Sequence, residues 1–238
     1  MLPNFQAIEK VCKKHRVIFV TLEADLIPKV TDLNLKEKMS KHGYKKGKWP
    51  LVPSKTLLVD LSQSEQDLWK AMKKDARLSI KKADKKCVVE LLSSDGNNFK
   101  NFHCFFKKFG KAYIPTYSEF KRLVEAFGDL SFLVEVSLGK QIISGALILI
   151  CRRQAYYYYA CNSPVGRKFL AGYLAVWRAM LEARRRKCRY FDFEGIYDER
   201  FPNLKRWKGF SDFKKKFGGK EVIYPVPFVR FFIPFLPI

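Results

Sequence analysis

Two carboxylates near the end of a predicted strand are candidates for proton transfer. Asp192 and Glu194 lie in the segment Phe191-Asp192-Phe193-Glu194-Gly195. Successive side chains of a strand point to opposite faces, so Asp192 lies on a different face from both phenylalanines. A carboxylate at a strand end beside a cleft can accept the proton of an amine. It can equally be the partner of a nearby Arg or Lys, because buried acids in a basic protein are usually paired.

Basic side chains are concentrated in two places that could bind anions. Arg77 lies on a predicted helix beside Lys81 and other lysines, and a planar guanidinium suits bidentate contact with phosphate. The alternative is a solvated basic helix face. A second run, Lys214 to Lys216, follows Phe213 directly. Such charge runs are usually solvated surface.

Four consecutive tyrosines at 156–159 lie in a predicted strand, so two must face each side of the sheet. We expect one pair in the core, since aromatic residues favour strands. The other pair can stack on a base or a sugar ring. Tyr157 and Tyr159 are the candidates for substrate contact. The basic run at 184–187 closes a long predicted helix, where cations are favoured and where they can also contact phosphates.

The composition points to a polyanionic partner. The 238 residues include 46 Lys plus Arg against 23 Asp plus Glu, a formal net charge of +23. Nucleic acid, phosphates and an anionic membrane surface all fit that charge. A hydrophobic fraction of 47% excludes wholesale disorder. The chain is long enough for one large domain, or one domain plus part of a second.

The cysteine and histidine pattern argues against a metal site and for a reducing compartment. The six cysteines form no CxxC pair and the three histidines lie apart, so we expect no metal. Scattered single cysteines are typical of reduced thiols in a cytosolic protein. There is no secretory h-region and no apolar run of about 18 residues. The proline-rich apolar tail at 226–238 is either a strand packed on the domain or a membrane-surface contact. A membrane contact requires its aromatic rings to be exposed, which are those of Phe228, Phe231, Phe232 and Phe235.

A mixed α/β sheet must position these residues. A capping-box pattern at Ser62 and Glu65 predicts one helix that runs to Ala83, and a second box at Thr116 and Glu119 begins another. Three strands with short connectors predict an antiparallel meander. The predicted helices are 4–14, 62–83, 97–110, 117–127 and 169–187, and the predicted strands are 17–22, 56–61, 88–92, 131–138, 142–151, 155–161 and 190–193, with an irregular Lys-rich linker at 26–52.

Four segments in one order resemble the Fem family of non-ribosomal aminoacyltransferases. They are Thr56 with Asp60-Leu61, a helix with Arg77, Ile80 and Lys82-Ala83, the strand Phe191 to Ile196, and the turn Phe213-Lys214-Lys215-Lys216-Phe217-Gly218. The resemblance covers residues 53–225. It implies an α/β, acetyltransferase-like (GNAT-like) mixed sheet flanked by helices, with a partial second GNAT-like domain at the N-terminus. We accordingly expect a remnant and linker at 1–52, a GNAT-like domain at 53–225 and a tail at 226–238.

The resemblance implies transfer of an amino acid from aminoacyl-tRNA to the amine of a lipid-linked or UDP-linked peptidoglycan precursor. Lys214 would lie beside the reacting carbonyl, with Phe213 and Asp192 as further catalytic candidates. Two alternatives stay open, namely an aminoacyl-tRNA–protein transferase acting on protein N-termini and a non-catalytic RNA- or membrane-binding remnant. The expected substrate-binding set is Arg77, Lys81, Lys168, Tyr157, Tyr159, Glu194 and Lys216.

The resemblance implies no cofactor other than the aminoacyl-tRNA co-substrate. Acetyltransferases of this fold hold the pyrophosphate of coenzyme A in an Arg/Gln-x-x-Gly-x-Gly/Ala turn at a helix N-terminus. The corresponding segment at 165–173 has Gly166 and Gly172 at a different spacing. We therefore expect no acetyl-CoA, and a cytoplasmic protein with peripheral contact at the inner membrane face as a further expectation.

Overall fold

The computed structural model describes residues 4–23, 32–92, 96–110 and 113–232, and the chain divides into two compact units. The first unit consists of Met1–Thr56, Tyr197–Trp207 and Val222–Ile238, and the second of Leu57–Ile196 and Lys208–Glu221. Both units are therefore built from segments that are discontinuous in sequence.

The second unit contains most of the regular structure. Its helices are α3 (Glu65–Ala71), α4 (Lys74–Asp84), α5 (Gly96–Phe109), α6 (Tyr117–Phe127), α7 (Pro164–Lys168), α8 (Ala171–Arg185) and α9 (Lys208–Lys214). Its strands are β4 (Val88–Leu92), β5 (Ser131–Leu138), β6 (Gln141–Cys151), β7 (Gln154–Asn162) and β8 (Tyr190–Gly195), together with the part of β3 (Lys55–Asp60) from Leu57 onward and the part of β9 (Lys220–Ile223) up to Glu221. The seven strands form one sheet in the order β4-β5-β6-β7-β8-β3-β9. Strands β5 to β7 are the antiparallel meander that the sequence predicts, β4 pairs antiparallel with β5, and β7 pairs with β8 in parallel.

Each face of this sheet is covered by a hydrophobic cluster. Strand residues such as Val134 and Phe193 pack with α4 and α8 on one face. Leu133 and Leu147 pack with the phenylalanines of α5 and α6 on the other. A sheet with helices on both faces is the mixed α/β class that the sequence predicts.

The predicted helix at 62–83 is wrong as a single helix, because it breaks at Met72 and Lys73. Both residues have extended backbone conformations, and the Lys73 N–H donates to the carbonyl of Lys216 over 2.9 Å instead of to its own helix. The predicted cap is displaced as well, since Ser64, not Ser62, accepts from the Asp67 N–H. The long helix predicted at 169–187 is likewise preceded by a separate short helix, and Leu170 between them is left-handed at φ 61°.

The first unit has its own small sheet and core. Helix α1 (Phe5–Lys14), strand β1 (Phe19–Leu22), helix α2 (Asp32–Lys41), strand β2 (Lys45–Lys46) and strand β10 (Phe228–Phe231) belong to it, and the sheet order is β1-β10-β2. The irregular linker predicted at 26–52 is therefore wrong for α2 and β2, while 26–31 lie outside the described residues. Met39 and Tyr44 are buried and belong to the same hydrophobic cluster as Phe5. Their apolar contacts order this Lys-rich stretch.

The apolar tail enters the small sheet as β10. Phe228 is buried, Phe231 and Phe232 are half-buried, and Phe235 lies outside the described residues. Within the described part of the chain, no helix is both long and apolar enough to cross a membrane.

Candidate functional site

Lys214 lies in the last turn of α9, and its side chain is half-buried. Its Nζ donates to the carbonyl oxygen of Gly195 over 2.7 Å and lies 4.8 Å from the centre of the Phe210 ring. Burial lowers the pKa of Lys214 to about 8, although the carboxylates of Glu194 and Asp192 favour its charged form. The side chain can therefore exchange between ammonium and amine close to neutral pH, which an exposed lysine does not do.

At the end of β8 the backbone turns at Glu194, the residue before Gly195. Glu194 has φ 60°, a left-handed conformation that costs an ordinary residue about 1 kcal/mol or more. Asp192 supports the turn, since its Oδ1 accepts from the Glu194 N–H and its Oδ2 from Gln154 Nε2, both over 2.8 Å. The buried Asp192 carboxylate thus accepts hydrogen bonds from an amide and from a backbone N–H, a geometry that suits a positioning role.

Strands β7 and β8 pair in parallel over only a short stretch, which ends two residues before Glu194. The pairs run from Gln154–Tyr190 to Tyr156–Asp192, whereas β7 continues to Asn162 and β8 to Gly195. Aromatic rings lie along the continuing part of β8. The ring pairs are Tyr157–Phe193 at 5.8 Å, Phe193–Phe217 at 5.6 Å, Phe213–Phe217 at 5.3 Å and Tyr173–Phe213 at 4.9 Å. Phe213 thus links the helix that carries Lys214 to the apolar core.

The sequence analysis overlooked Asn162, which, like Phe213, lies within 4 Å of the Cβ position of Gly172. The Oδ1 atom of Asn162 is buried and has no hydrogen-bond partner in the described part of the chain. A Cβ atom at Gly166 would lie 2.1 Å from this oxygen, and one at Gly172 would lie 2.9 Å from the Asn162 Nδ2. The two glycines therefore leave room for the Asn162 amide. The Ser163-Pro164 helix start after Asn162 was the available sequence signal.

Lys216 connects α4 to the segment that follows α9. Its Nζ lies 2.6 Å from Asp75 Oδ2 and donates to the Tyr173 hydroxyl over 3.3 Å. The bond with Asp75 raises the pKa of Lys216 and lowers that of Asp75. This pair brings α4, and with it Arg77 and Lys81, to the segment that carries Lys214. Lys81 is exposed, with its Nζ 5.9 Å from the Trp69 ring centre.

Tyr159 and Lys168 are predicted binding residues that lie apart from the residues around Lys214. A bulge between Leu147 and Ile148 pairs Leu147 with Tyr159 and Ile148 with Tyr157, so the extra residue Tyr158 turns the two tyrosines to opposite faces. Tyr157 packs with Phe191 and Phe193, whereas Tyr159 packs with Phe106 and Phe120 in the other cluster.

The expectation that Tyr157 and Tyr159 share one binding surface is therefore corrected. Burial raises the pKa of both, that of Tyr159 to about 12. Lys168, the other residue apart from the group, is exposed at the end of α7.

Comparisons with known proteins bear on the family and the fold of the chain. The model of the FemAB family matches residues 116–225. No curated protein matches the chain in sequence. The chain is similar in structure to FemX, with a TM-score of 0.74 at 16% identity over 95% of this chain and 75% of that one.

Two other solved structures share the fold. One is a tandem GNAT protein from the clavulanic acid biosynthesis pathway, with a TM-score of 0.63 at 10% identity over 97% of this chain and 69% of that one. The other is the C-terminal domain of a putative lysylphosphatidylglycerol synthetase from Agrobacterium fabrum, with a TM-score of 0.64 at 10% identity over 95% and 73%. At family level the FemAB match supports a transferase of peptidoglycan synthesis. The predicted resemblance to the Fem family is confirmed: the FemAB family model matches residues 116–225, and the chain has a GNAT-like fold.

Proposed function

We propose that this protein transfers an amino acid from aminoacyl-tRNA to the amine of a lipid-linked or UDP-linked peptidoglycan precursor. The observation that carries the proposal is the half-buried cation Lys214, which donates a hydrogen bond to Gly195 where β7 and β8 continue past their paired residues. The FemAB match supports aminoacyl transfer to the interpeptide bridge at family level.

The chemistry needs few protein groups, because the ester of aminoacyl-tRNA is already activated. The acceptor nitrogen attacks the ester carbonyl, a new C–N bond forms, and the carbonyl oxygen becomes an oxyanion. The C–O bond to the tRNA ribose then breaks, and the ribose oxygen takes a proton as the amine loses one. The Lys214 ammonium stabilises the oxyanion, and a preformed cation in a site shielded from water is effective at this step.

The remaining residues have supporting roles in this proposal. Asp192 acts as a positioning residue, because both of its oxygens already accept hydrogen bonds that hold the Glu194 turn. Arg77 and Lys81 contact phosphates of the donor or acceptor, and Lys216 fixes their helix through Asp75. A formal net charge of +23 favours the polyanionic donor.

The test is transfer of a radiolabelled amino acid from a charged-tRNA mixture to three acceptors, which are the lipid-linked precursor, the UDP-linked precursor and a protein with a free N-terminus. The variant is Lys214→Ala, and the matched control is Lys215→Ala, a neighbour whose Nζ is paired with Glu221 at 2.6 Å. We expect Lys214→Ala to lower the rate by about 100-fold or more. Lys215→Ala should stay within about twofold, because removing an ion pair near the surface has a small effect.

Other results would select the alternatives. Transfer only to the protein N-terminus would identify an aminoacyl-tRNA–protein transferase. Salt-sensitive tRNA binding without transfer to any acceptor would indicate a non-catalytic binder. Equal rates for wild type and Lys214→Ala would overturn the role of Lys214.

A further inference from the structure

We propose that residues 45–52, here called the Trp49 loop, form a docking surface for the interface of an anionic lipid bilayer. The loop reads Lys45-Lys46-Gly47-Lys48-Trp49-Pro50-Leu51-Val52 and lies wholly in the first unit. The proposal concerns a surface and a partner, and it does not depend on the transfer reaction.

Three apolar side chains of the Trp49 loop are exposed to solvent. Trp49 is 58% exposed, Leu51 76% and Val52 45%. Large apolar side chains scattered singly over a surface are ordinary, whereas several within four consecutive residues mark an interaction site. An aromatic ring with a polar N–H is also the side chain most enriched at membrane interfaces.

The fold fixes the loop so that these side chains point outward. The two carboxylate oxygens of Glu23 accept the N–H groups of Leu51 and Val52 over 2.6 and 2.9 Å. At the other end, the Gly47 N–H donates to Pro227 over 2.8 Å, and β2 pairs with β10. A Cβ atom at Gly47 would lie only 3.1 Å from the Val229 side chain, so the chain passes close to the sheet there. The exposed apolar tip is therefore pre-organised, which lowers the entropy cost of docking.

The charge of the loop selects the partner. Lys45, Lys46 and Lys48 are all exposed, and the loop contains no acidic residue. Lysines beside exposed apolar side chains match the interface of an anionic bilayer, where each cation strengthens binding by about fivefold. A nucleic acid would use the lysines and could stack on Trp49, but Leu51 and Val52 would gain nothing from phosphates. In a bilayer those aliphatic groups leave water.

The test is co-sedimentation of the full chain with sucrose-loaded vesicles of phosphatidylcholine alone or of phosphatidylcholine with one quarter phosphatidylglycerol. Two variants carry the same charge change in different places, Lys45→Gln/Lys46→Gln/Lys48→Gln in the loop and Lys10→Gln/Lys13→Gln/Lys14→Gln on exposed positions of α1. A second matched pair is Leu51→Ser against Leu130→Ser, since Leu130 is 54% exposed in the second unit.

We expect wild type to prefer the anionic vesicles. The loop triple variant should lose on the order of 100-fold in partitioning, well beyond the α1 triple variant. Leu51→Ser should lose about tenfold, and Leu130→Ser almost nothing. In addition, brominated lipid should quench less of the tryptophan emission in Trp49→Phe than in wild type.

Several results would overturn the proposal. Equal losses for the two triple variants would mean that net charge alone drives binding. Equal binding of wild type to both vesicle types would exclude anionic recognition. Vesicle binding unchanged by the loop variants, with tRNA binding lost instead, would make the loop a nucleic-acid surface.

Discussion

Glu90 lies directly opposite Glu135 in the antiparallel pair β4–β5, so the two carboxylates are cross-strand neighbours on one face of the sheet. Glu135 is only 5% exposed, and its Oε1 has no hydrogen-bond partner within the described residues. Burial, together with the charge of Glu90, raises the pKa of Glu135 to about 7. The folded protein thus keeps a proton on Glu135 at pH values where the unfolded chain has lost it.

This proton makes stability depend on pH in a defined window. Because the folded pKa of Glu135 lies above its unfolded value, stability is fully present below about pH 4.5 and declines as pH rises through about 7. Glu135→Gln should remove the decline and gain up to about 3 kcal/mol at pH 8 relative to wild type. Urea unfolding at a series of pH values measures this. The control is Glu90→Gln, which should weaken the decline without removing it, and an unchanged profile in Glu135→Gln would refute the assignment.

Lys214 produces a pH dependence at higher pH. Its folded pKa of about 8 lies below the value of 10.5 for an ordinary lysine, so the folded protein releases this proton first. Stability therefore rises with pH from about 8 to 10.5. Relative to Lys214→Met, wild type should gain up to about 3 kcal/mol over that range in denaturant titrations. The free energy of unfolding of Lys215→Met should follow the same pH dependence as that of wild type. If Lys214→Met also followed the wild-type pH dependence, Lys214 would be well solvated in the folded protein.

Two glycine substitutions should act in opposite directions. A Cβ atom at Gly166 would lie 2.1 Å from the Ile143 carbonyl and the Asn162 amide, so Gly166→Ala must displace backbone. We expect a loss of about 2 kcal/mol or more, as for other overpacked sites. Gly209 lies in α9 with nothing within 4 Å of its Cβ position, so Gly209→Ala should gain about 0.5–1 kcal/mol. Thermal unfolding of both variants checks this, and a neutral Gly166→Ala would contradict the close contact.

The capping box of α6 should contribute measurably to stability. Thr116 accepts from the Glu119 N–H, and the Glu119 side chain accepts from the Thr116 N–H. Thr116→Ala should cost about 1 kcal/mol in equilibrium unfolding, because the Glu119 N–H at the helix start loses its acceptor. Thr116→Ser keeps the acceptor and should cost less than half of that, so equal losses in the two variants would argue against a capping role.

Local patterns predicted the elements whose contacts are local. The Thr116 box and the antiparallel meander are confirmed because caps and short connectors are encoded within a few residues. The break at Lys73 could not be predicted in this way, since its N–H is bonded to Lys216, far along the chain. Helix α2 was overlooked for a similar reason, because burial of Met39 against distant residues overrides a polar composition.

The candidate site was predictable in its residue types and less so in its geometry. The sequence points to Lys214, Asp192 and Glu194, but not to the left-handed Glu194 or to the Gly195 carbonyl that receives the lysine. The bulge at Tyr158 reverses the face of its neighbour, and strand alternation alone cannot reveal an inserted residue.

The route of the chain through its two units has a consequence for biosynthesis. After β8 supplies Gly195, the chain leaves the second unit for Tyr197–Trp207 and returns only with Lys208–Glu221. A ribosome synthesising from the N-terminus therefore releases the acceptor carbonyl well before the lysine that binds it. A nascent chain stopped after residue 196 would carry the whole meander and no Lys214. The reactive cation is thus among the last parts of the second unit to arrive, and the chemistry we propose for Lys214 becomes possible only as folding of that unit is completed.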